Sequence, residues 1–448
     1  MTHHHDAISY ISGKSPALRG DVDVPGDKSM SHRSIMFGLL ADGKTTVKGI
    51  LTGEDVLCTA DAARALGAEV TAQEDGTWVI KGNGLTNLTA PDRVLDMGNS
   101  GTSTRLLMGL VAGYDFNTSF TGDASLTKRP MGRVMKPLAQ MGASFIDKNE
   151  GRLPLIVQGS SALRPITYEL PVASAQVKSA ILLAGLNADG KTTVIESKPT
   201  RDHTENMLRH FGATVETARL ENGAYAISIT GKPALTGCDI VIPADPSSAA
   251  FPVVAAILTP GSDIRLDNIG MNDRRAGIFT TLIEMGADIT IENERDMAGE
   301  PVADLHVRYN GPLKGIDVPA DRVPSMIDEF PILSMVAACA DGTTRMTDLA
   351  ELRVKESDRL LMVAEGLKKC GVSLEMGEDS LTIHGNGKPP AGGAEIETAL
   401  DHRIAMSFLI LGCATDNPVS VDDGTPIATS FPRFIPLMTA LGAKIEKR

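Results

Sequence analysis

The sequence predicts an α/β protein of two domains, assembled from six units of roughly 70–80 residues that each mix strands and helices. Three observations predict it. A helix-end signature recurs six times, as RALGAEV, AQMGASF, RHFGATV, IEMGADI, KKCGVSL and TALGAKI, with glycines at 67, 142, 212, 286, 371 and 442. In each copy apolar residues lead into the glycine and alternation begins after it. Glycine just past a helix end takes the left-handed cap, and alternation marks the strand that follows. In phase with this, a short β-like run ends in Pro or Asp and yields to small and hydroxyl residues. The copies are VDVPGDKSMSHRS, VLDMGNSGTSTRLL, YELPVASAQVKSA, IVIPADPSSAAFP, IDVPADRVPSMID and ALDHRIAMSF. Finally, 448 residues, 42% of them hydrophobic, exceed one ordinary core. The unit is far larger than an ordinary solenoid repeat, and three units per domain give two domains of ordinary size.

The second signature opens helices predicted to run to Leu40, Val111, Leu186, Leu258, Ala338 and Leu411, since hydroxyl and Asp side chains satisfy a helix's first free amides. Three of these helices are followed by ADGKTTV, ADGKTTV or ADGTTRM, at Ala41, Ala188 and Ala340, which read as a turn and a strand. Two copies complete the phosphate-loop pattern G-x-x-x-x-G-K-T, Gly38–Thr45 and Gly185–Thr192. A true phosphate loop follows a strand and opens a helix, whereas each of these follows a helix and opens a strand, so the match is rejected.

Composition narrows the class. No low-complexity tract and no apolar run long enough for a bilayer occur, and the N-terminus lacks a signal-peptide layout. Its histidines at 3–5 are assigned no function. Five scattered cysteines, with no C-x-x-C pair and no metal-ligand spacing, predict a reduced, cytoplasmic protein without structural zinc or other metal. A net charge of −13 argues against nucleic acid. An acidic chain that binds anions must gather its cations locally.

Such gathering is visible in the motifs. PGDKSMSHRS sets Lys28 and Arg33 around Ser29 and Ser31 at a helix start, suited to a phosphate or carboxylate and equally to an ordinary capped helix. MGNSGTSTR opens another helix at Gly101, with small residues that let a ligand touch backbone. TGDASLTKRPMGR carries Lys128, Arg129 and Arg133 and reads as a mobile loop or a solvated charge run. PVASAQVKS offers Ser174, Gln176 and Lys178. SMIDEFP sets Asp328 and Glu329 in an apolar helix entry, as a base or as first-turn acids favouring the helix dipole. In ELRVKESDRL, Lys355 and Arg359 share a helical face, which is unfavourable unless an anion lies between them. LDHRIAMS adds Arg403 at the last helix start. Nearly all sit where helices begin, so stacked repeats would bring helix N-termini and cations to one face of each domain, and two such faces opposed would form a strongly positive cleft.

These motifs, in this order from about Leu18 to the C-terminus, resemble the 5-enolpyruvylshikimate-3-phosphate (EPSP) synthase family, with details such as RPMGRV, PVASAQVKSA and SMIDEFP closest to its bacterial class II branch. The resemblance implies the enolpyruvyl transferase fold: two similar inverted α/β domains, each of three units of parallel helices and mixed four-stranded sheets. They would be joined by two crossings, with residues 25–243 forming one domain, 1–24 plus 244–448 the other, and the active site in the closing cleft. It implies transfer of the enolpyruvyl group of phosphoenolpyruvate to the 5-hydroxyl of shikimate 3-phosphate, giving EPSP and phosphate, by a monomer with no metal or organic cofactor. By the family pattern Lys28, Ser29, Arg33, Ser174, Ala175, Gln176, Asp328 and Lys355 would hold shikimate 3-phosphate. Lys28, Gly101, Arg129, Gln176, Arg359 and Arg403 would surround phosphoenolpyruvate. Asp328, Glu356 and Lys28 would form the acid–base set. The family pattern also departs at Thr429–Phe431, which lacks the lysine many relatives carry there. Gly101 stands where some glyphosate-tolerant relatives have alanine, so greater sensitivity to that inhibitor is expected. The nearest rival is a UDP-N-acetylglucosamine enolpyruvyl transferase, which usually has a cysteine in the loop corresponding to Thr121–Arg133, where this chain has none.

Overall fold

The computed structural model describes residues 7–297 and 299–448, so the histidines at 3–5 lie outside the described residues. The repeat is a βαβαββ unit. In its plainest copy the strand Leu95–Asp96 leads to the helix Gly101–Val111, the strand Asn117–Thr121, the helix Gly132–Met141 and the hairpin Ser144–Asp147 and Leu155–Gln158. The first two strands are joined through a helix and therefore pair in parallel, with Leu95 opposite Phe120. The hairpin closes the sheet antiparallel, with Phe120 opposite Leu155 and Phe145 opposite Val157. Strand order first–second–fourth–third recurs in five four-stranded sheets. The sixth has three strands, its first strand being reduced to single parallel bridges, Lys314 to Asp341 and Asp317 to Arg345.

The chain forms two compact units. One comprises Gly26–Ile242 with Met297–Glu300; the other takes the chain up to Pro25, Pro243–Asp296 and Pro301–Arg448. Each is completed by strands from distant sequence. In the first, Asp239–Val241 pairs in parallel with Thr46–Lys48, supplying the strand that the opening repeat lacks. In the second, Arg19–Val22 does the same beside Asp263–Leu266. In the sheet of the last repeat Tyr10–Gly13 lies between Val419–Val421 and Lys444–Lys447, antiparallel to both.

In each unit the first helix of every repeat lies at the centre and the sheets lie outside. Lys28–Leu40, Gly101–Val111 and Ala175–Gly185 are the central helices of one unit; Pro246–Leu258, Phe330–Cys339 and His402–Gly412 those of the other. Pro246–Leu258 is buried at every residue, as a helix apolar all round must be. Side-chain caps begin five of the six: Asp27, Ser100, Ser174, Asp245 and Asp401 accept from the amides of Met30, Ser103, Val177, Ser247 and Arg403. The six signature glycines end the second helices with φ between 87° and 118°, the left-handed region where a side chain is strained. A further glycine requirement was not visible in the helix pattern. At Gly82 and Gly385, in the last strand of two repeats, an added Cβ would lie 2.2 Å from Gly38 O and 2.1 Å from Ala340 O, carbonyls at the ends of central helices.

Both phosphate-loop look-alikes run from the end of a central helix into the strands Asp42–Lys48 and Lys191–Glu196, consistent with their rejection. Among the described residues no helix is long and apolar enough to cross a membrane.

Candidate active site

In the Gly26–Ile242 unit the three central helices begin close together, tied by polar side chains. His32 Nδ1, on the first, bonds Thr59 Oγ1 at 2.7 Å and Ser103 Oγ, on the second, at 3.1 Å. Burial, with Lys28 and Arg33 nearby, holds this imidazole well below its ordinary value, so it is neutral. Gln176, in the first turn of the third helix, donates to Thr102 Oγ1 at 3.0 Å and accepts from Arg105 at 2.7 Å.

The cations of this unit are held in place. Lys28 donates to Asp55 at 3.1 Å. Arg129 donates to Asn99 Oδ1 at 2.5 Å and Ser125 Oγ at 3.1 Å and is buried. Its segment folds into a turn, and the burial of Arg129 departs from a solvated charge run. Asp123 accepts from the amides of Ser125 and Leu126, and Leu126–Lys128 is a helical turn. A Cβ on Gly101 would sit 3.0 Å from Nη1 of both Arg105 and Arg129, so two guanidinium groups converge over that glycine. Arg105 belongs to the GNSGTSTR motif, but its link to Gln176 depends on the packing of two repeats and has no sequence signal.

Arg33 is buried, and its hydrogen bonds go to neutral groups: Thr204 Oγ1 at 2.7 Å, Ser179 Oγ at 3.1 Å and Ser29 O at 3.0 Å. Burial pushes the guanidinium down to about 10, against the opposing fields of Glu205 and Asp27. Ser174 caps the helix that begins at Ala175, so both stand beside Gln176. Lys178, one turn further in, is fully buried against Glu196 and Glu205 and is a structural cation.

In the other unit Asp328, Lys355, Glu356, Arg359 and Arg403 form one connected group. Asp328 Oδ1 accepts from Lys355 at 3.1 Å and from Arg359 at 3.0 Å, and Arg359 pairs with Glu356 at 2.5 Å and Asp401 at 2.8 Å. Burial lowers the Arg359 guanidinium, but Asp401, Glu356 and Asp328 outweigh it and hold the group above its ordinary value. Lys355 and Arg359 do not share a helical face. The helix starts at Arg359, behind an Asp358 cap, and Lys355 follows the short turn Ala350–Val354 in extended conformation. The anion between the two cations is Asp328 itself. Arg403 donates through Nη1 to Asp328 O at 3.0 Å and to Glu329 at 3.2 Å. These cations are thus matched by carboxylates of their own unit, which the expectation of a strongly positive cleft did not include. Asp401 and Glu329, which do the matching, sit inside the quoted motifs, yet only the folded geometry identifies their partners. Among the described residues no group of three or more His, Cys, Asp or Glu side chains is arranged to hold a metal.

Comparison with known proteins bears on what this arrangement does. The family model for EPSP synthase (3-phosphoshikimate 1-carboxyvinyltransferase) matches residues 13–438. A 3-phosphoshikimate 1-carboxyvinyltransferase of Paramagnetospirillum magneticum is 60% identical over 435 residues, 97% of each chain. That of Parvibaculum lavamentivorans is 55% identical over 445 residues, 99% of this chain and 98% of its own. The solved EPSP synthase of Acinetobacter baumannii superposes with a TM-score of 0.86 at 48% identity, covering 98% of this chain and 100% of that one. The enolpyruvyl transferase NikO of Streptomyces tendae, at 18% identity and a TM-score of 0.77 over 98% of each chain, shares the fold. With the six-unit architecture and these motifs, the chain belongs to the EPSP synthase family.

Proposed function

We propose that this protein transfers the enolpyruvyl group of phosphoenolpyruvate to the 5-hydroxyl of shikimate 3-phosphate, releasing phosphate and serving chorismate and aromatic amino acid biosynthesis. The observation that carries the reading is Arg33. A buried guanidinium whose hydrogen bonds all go to neutral groups is costly unless an anion completes it. It stands on the same helix as Lys28 and Ser29, and beside the start of the helix that carries Gln176, through Ser179. A phosphate ester meets that demand.

In this reading Lys28, Ser29, Arg33, Ser174, the backbone at Ala175, Gln176 and Lys355 hold shikimate 3-phosphate. Lys28, Gly101, Arg129, Gln176, Arg359 and Arg403 take phosphoenolpyruvate, whose phosphate and carboxylate both suit guanidinium forks. The 5-hydroxyl loses its proton as it attacks C2 of phosphoenolpyruvate, and the methylene carbon gains one. The tetrahedral ketal then expels phosphate as a proton leaves that methyl carbon. Asp328, held between Lys355 and Arg359, is the acceptor suited to the hydroxyl proton. Glu356 and Lys28 complete the proton-transfer set. We further propose that the protein works as a cytoplasmic monomer and is inhibited by glyphosate; its five unbridged thiols suit a reducing compartment.

The test is phosphate release from phosphoenolpyruvate with shikimate 3-phosphate, with UDP-N-acetylglucosamine, and with no acceptor. Release only with shikimate 3-phosphate, lost in Lys28→Ala and Arg129→Ala variants that stay folded, is the expected result. Release with the UDP-sugar alone would transfer the assignment to the rival family, which the names of the relatives do not favour.

A further inference from the structure

Five of the six central helices use a side chain at the N-cap to bond their own amides. Glu329 stands at that position before Phe330–Cys339 and makes no such bond. Its carboxylate is fully buried and turns sideways. Oε1 accepts from the Ser247 hydroxyl, from Arg275 Nη1 at 3.2 Å and from Arg403 Nη1 at 3.2 Å, while Oε2 has no partner. Arg275, also buried, is anchored in turn by Asp245 at 2.9 Å and Ser247 at 2.5 Å. A chain of charge-assisted bonds, Asp245–Arg275–Glu329–Arg403, therefore links the starts of all three central helices of this unit.

The consequence for Arg403 follows from the shape of guanidinium. Both hydrogens of Nη1 are engaged, one by Asp328 O and one by Glu329. The Nε and Nη2 hydrogens, the edge that matches a carboxylate bidentately, make no bond among the described residues. A buried arginine–carboxylate–arginine group adds little net stability, because desolvation offsets most of the attraction. Its value lies in fixing orientation.

We propose that Glu329, braced by Arg275, is a positioning residue for phosphoenolpyruvate: it clamps one nitrogen of Arg403 so that the remaining edge of the guanidinium is preset for the donor's carboxylate. This rests on the reading of Arg403 as a phosphoenolpyruvate ligand. The role is geometric, so it depends on where the acceptor oxygen sits more than on its charge. Glu329→Gln keeps an acceptor in place of Oε1 and sets its amide nitrogen where Oε2 has no partner. Glu329→Asp keeps the charge but withdraws the oxygen by one methylene.

Steady-state phosphate release, with each substrate varied in turn, tests it. Glu329→Ala should raise KM for phosphoenolpyruvate roughly 10- to 100-fold, with KM for shikimate 3-phosphate within about twofold of wild type. Glu329→Gln should restore most of the affinity and Glu329→Asp less. If the alanine variant does not fold, the comparison of Gln with Asp decides. A larger defect in Gln than in Asp would mean that charge, not position, matters and would overturn the proposal, as would equal rises in both KM values. Failure of the underlying assignment looks different: Arg403→Lys would leave KM for phosphoenolpyruvate unchanged.

Discussion

Replacing Arg33 with Met should abolish activity while leaving the empty protein as stable as wild type or more so. Burial pushes the guanidinium down to about 10. Each pH unit of depression is worth about 1.4 kcal/mol, so keeping the cation in the fold costs on the order of 3 kcal/mol. The folded value lies below the unfolded one. The cost is therefore present in full at every pH below about 10 and is relieved only as the pH rises above it. At neutral pH it is constant, and substitution reveals it where titration does not. Methionine fills similar space and leaves few orphans, since Ser179 Oγ and Thr204 Oγ1 already bond each other at 2.7 Å. Repacking consumes part of the gain, leaving roughly 1–3 kcal/mol, or about 2–12 °C in the melting temperature of a unit this size. Differential scanning fluorimetry with and without shikimate 3-phosphate is the assay. Wild type should gain melting temperature with the ligand, and Arg33→Met should start at or above wild type and gain nothing. A variant that melts well below wild type, with a loss of about 2 kcal/mol or more, would refute the idea that Arg33 is held at a cost for an anion.

Three further substitutions probe other parts of the structure. Lys178→Met removes the cation paired with Glu196 and Glu205, both fully buried. It should cost about 3–5 kcal/mol in urea unfolding, and adding Glu205→Gln should recover part of that; no recovery would mean that the pair is not coupled. Gly385→Ala sets a methyl 2.1 Å from Ala340 O and 2.7 Å from Ala337 O, backbone atoms that cannot swing aside. A loss of roughly 1–3 kcal/mol or more is expected, whereas Gly13→Ala, with nothing within 4 Å, should change stability little. Gly101→Ala presses on Arg105 and Arg129 at 3.0 Å, the ends of flexible side chains, so the protein should fold normally. Its added methyl should weaken glyphosate inhibition by roughly tenfold or more and phosphoenolpyruvate binding by less; equal effects on both would count against crowding of the longer inhibitor.

The fold was legible where the backbone makes local demands. Left-handed caps call for glycine, and all six signature glycines adopt them. Free amides call for hydroxyls or Asp, and the helix ends fell at Leu40, Val111, Gly185, Leu258, Cys339 and Gly412, within one residue of expectation. What stayed hidden was non-local. Nothing in YISG announces that it fills a sheet beside Lys444–Lys447 at the far end of the chain. Gly82 and Gly385 look like ordinary strand residues until a helix carbonyl is found beside them. The site followed the same rule. Residue types at helix starts singled out Lys28, Arg33, Arg359 and Arg403 as candidates, but which acid neutralises which cation depends on side chains brought from other repeats.

That pairing distinguishes the central-helix starts of the two units. In the Gly26–Ile242 unit the arginine one turn into the first central helix meets Ser179 and Thr204, hydroxyls that orient it without cancelling its charge. In the other unit the arginines meet Asp401, Asp328, Glu356 and Glu329, carboxylates that cancel as well as orient. A chain of net charge −13 can still attract anions, because distant exposed acids are screened beyond about 8–10 Å. A buried arginine held by hydroxyls is screened far less. Within the neutralised set a carboxylate gripped by two cations, as Asp328 is, keeps its orientation, which is what its proposed role as proton acceptor requires. The six helix starts are similar in sequence, and the side chain that faces the cation, hydroxyl at Arg33 or carboxylate at Arg359 and Arg403, sets how much of its charge is left uncancelled.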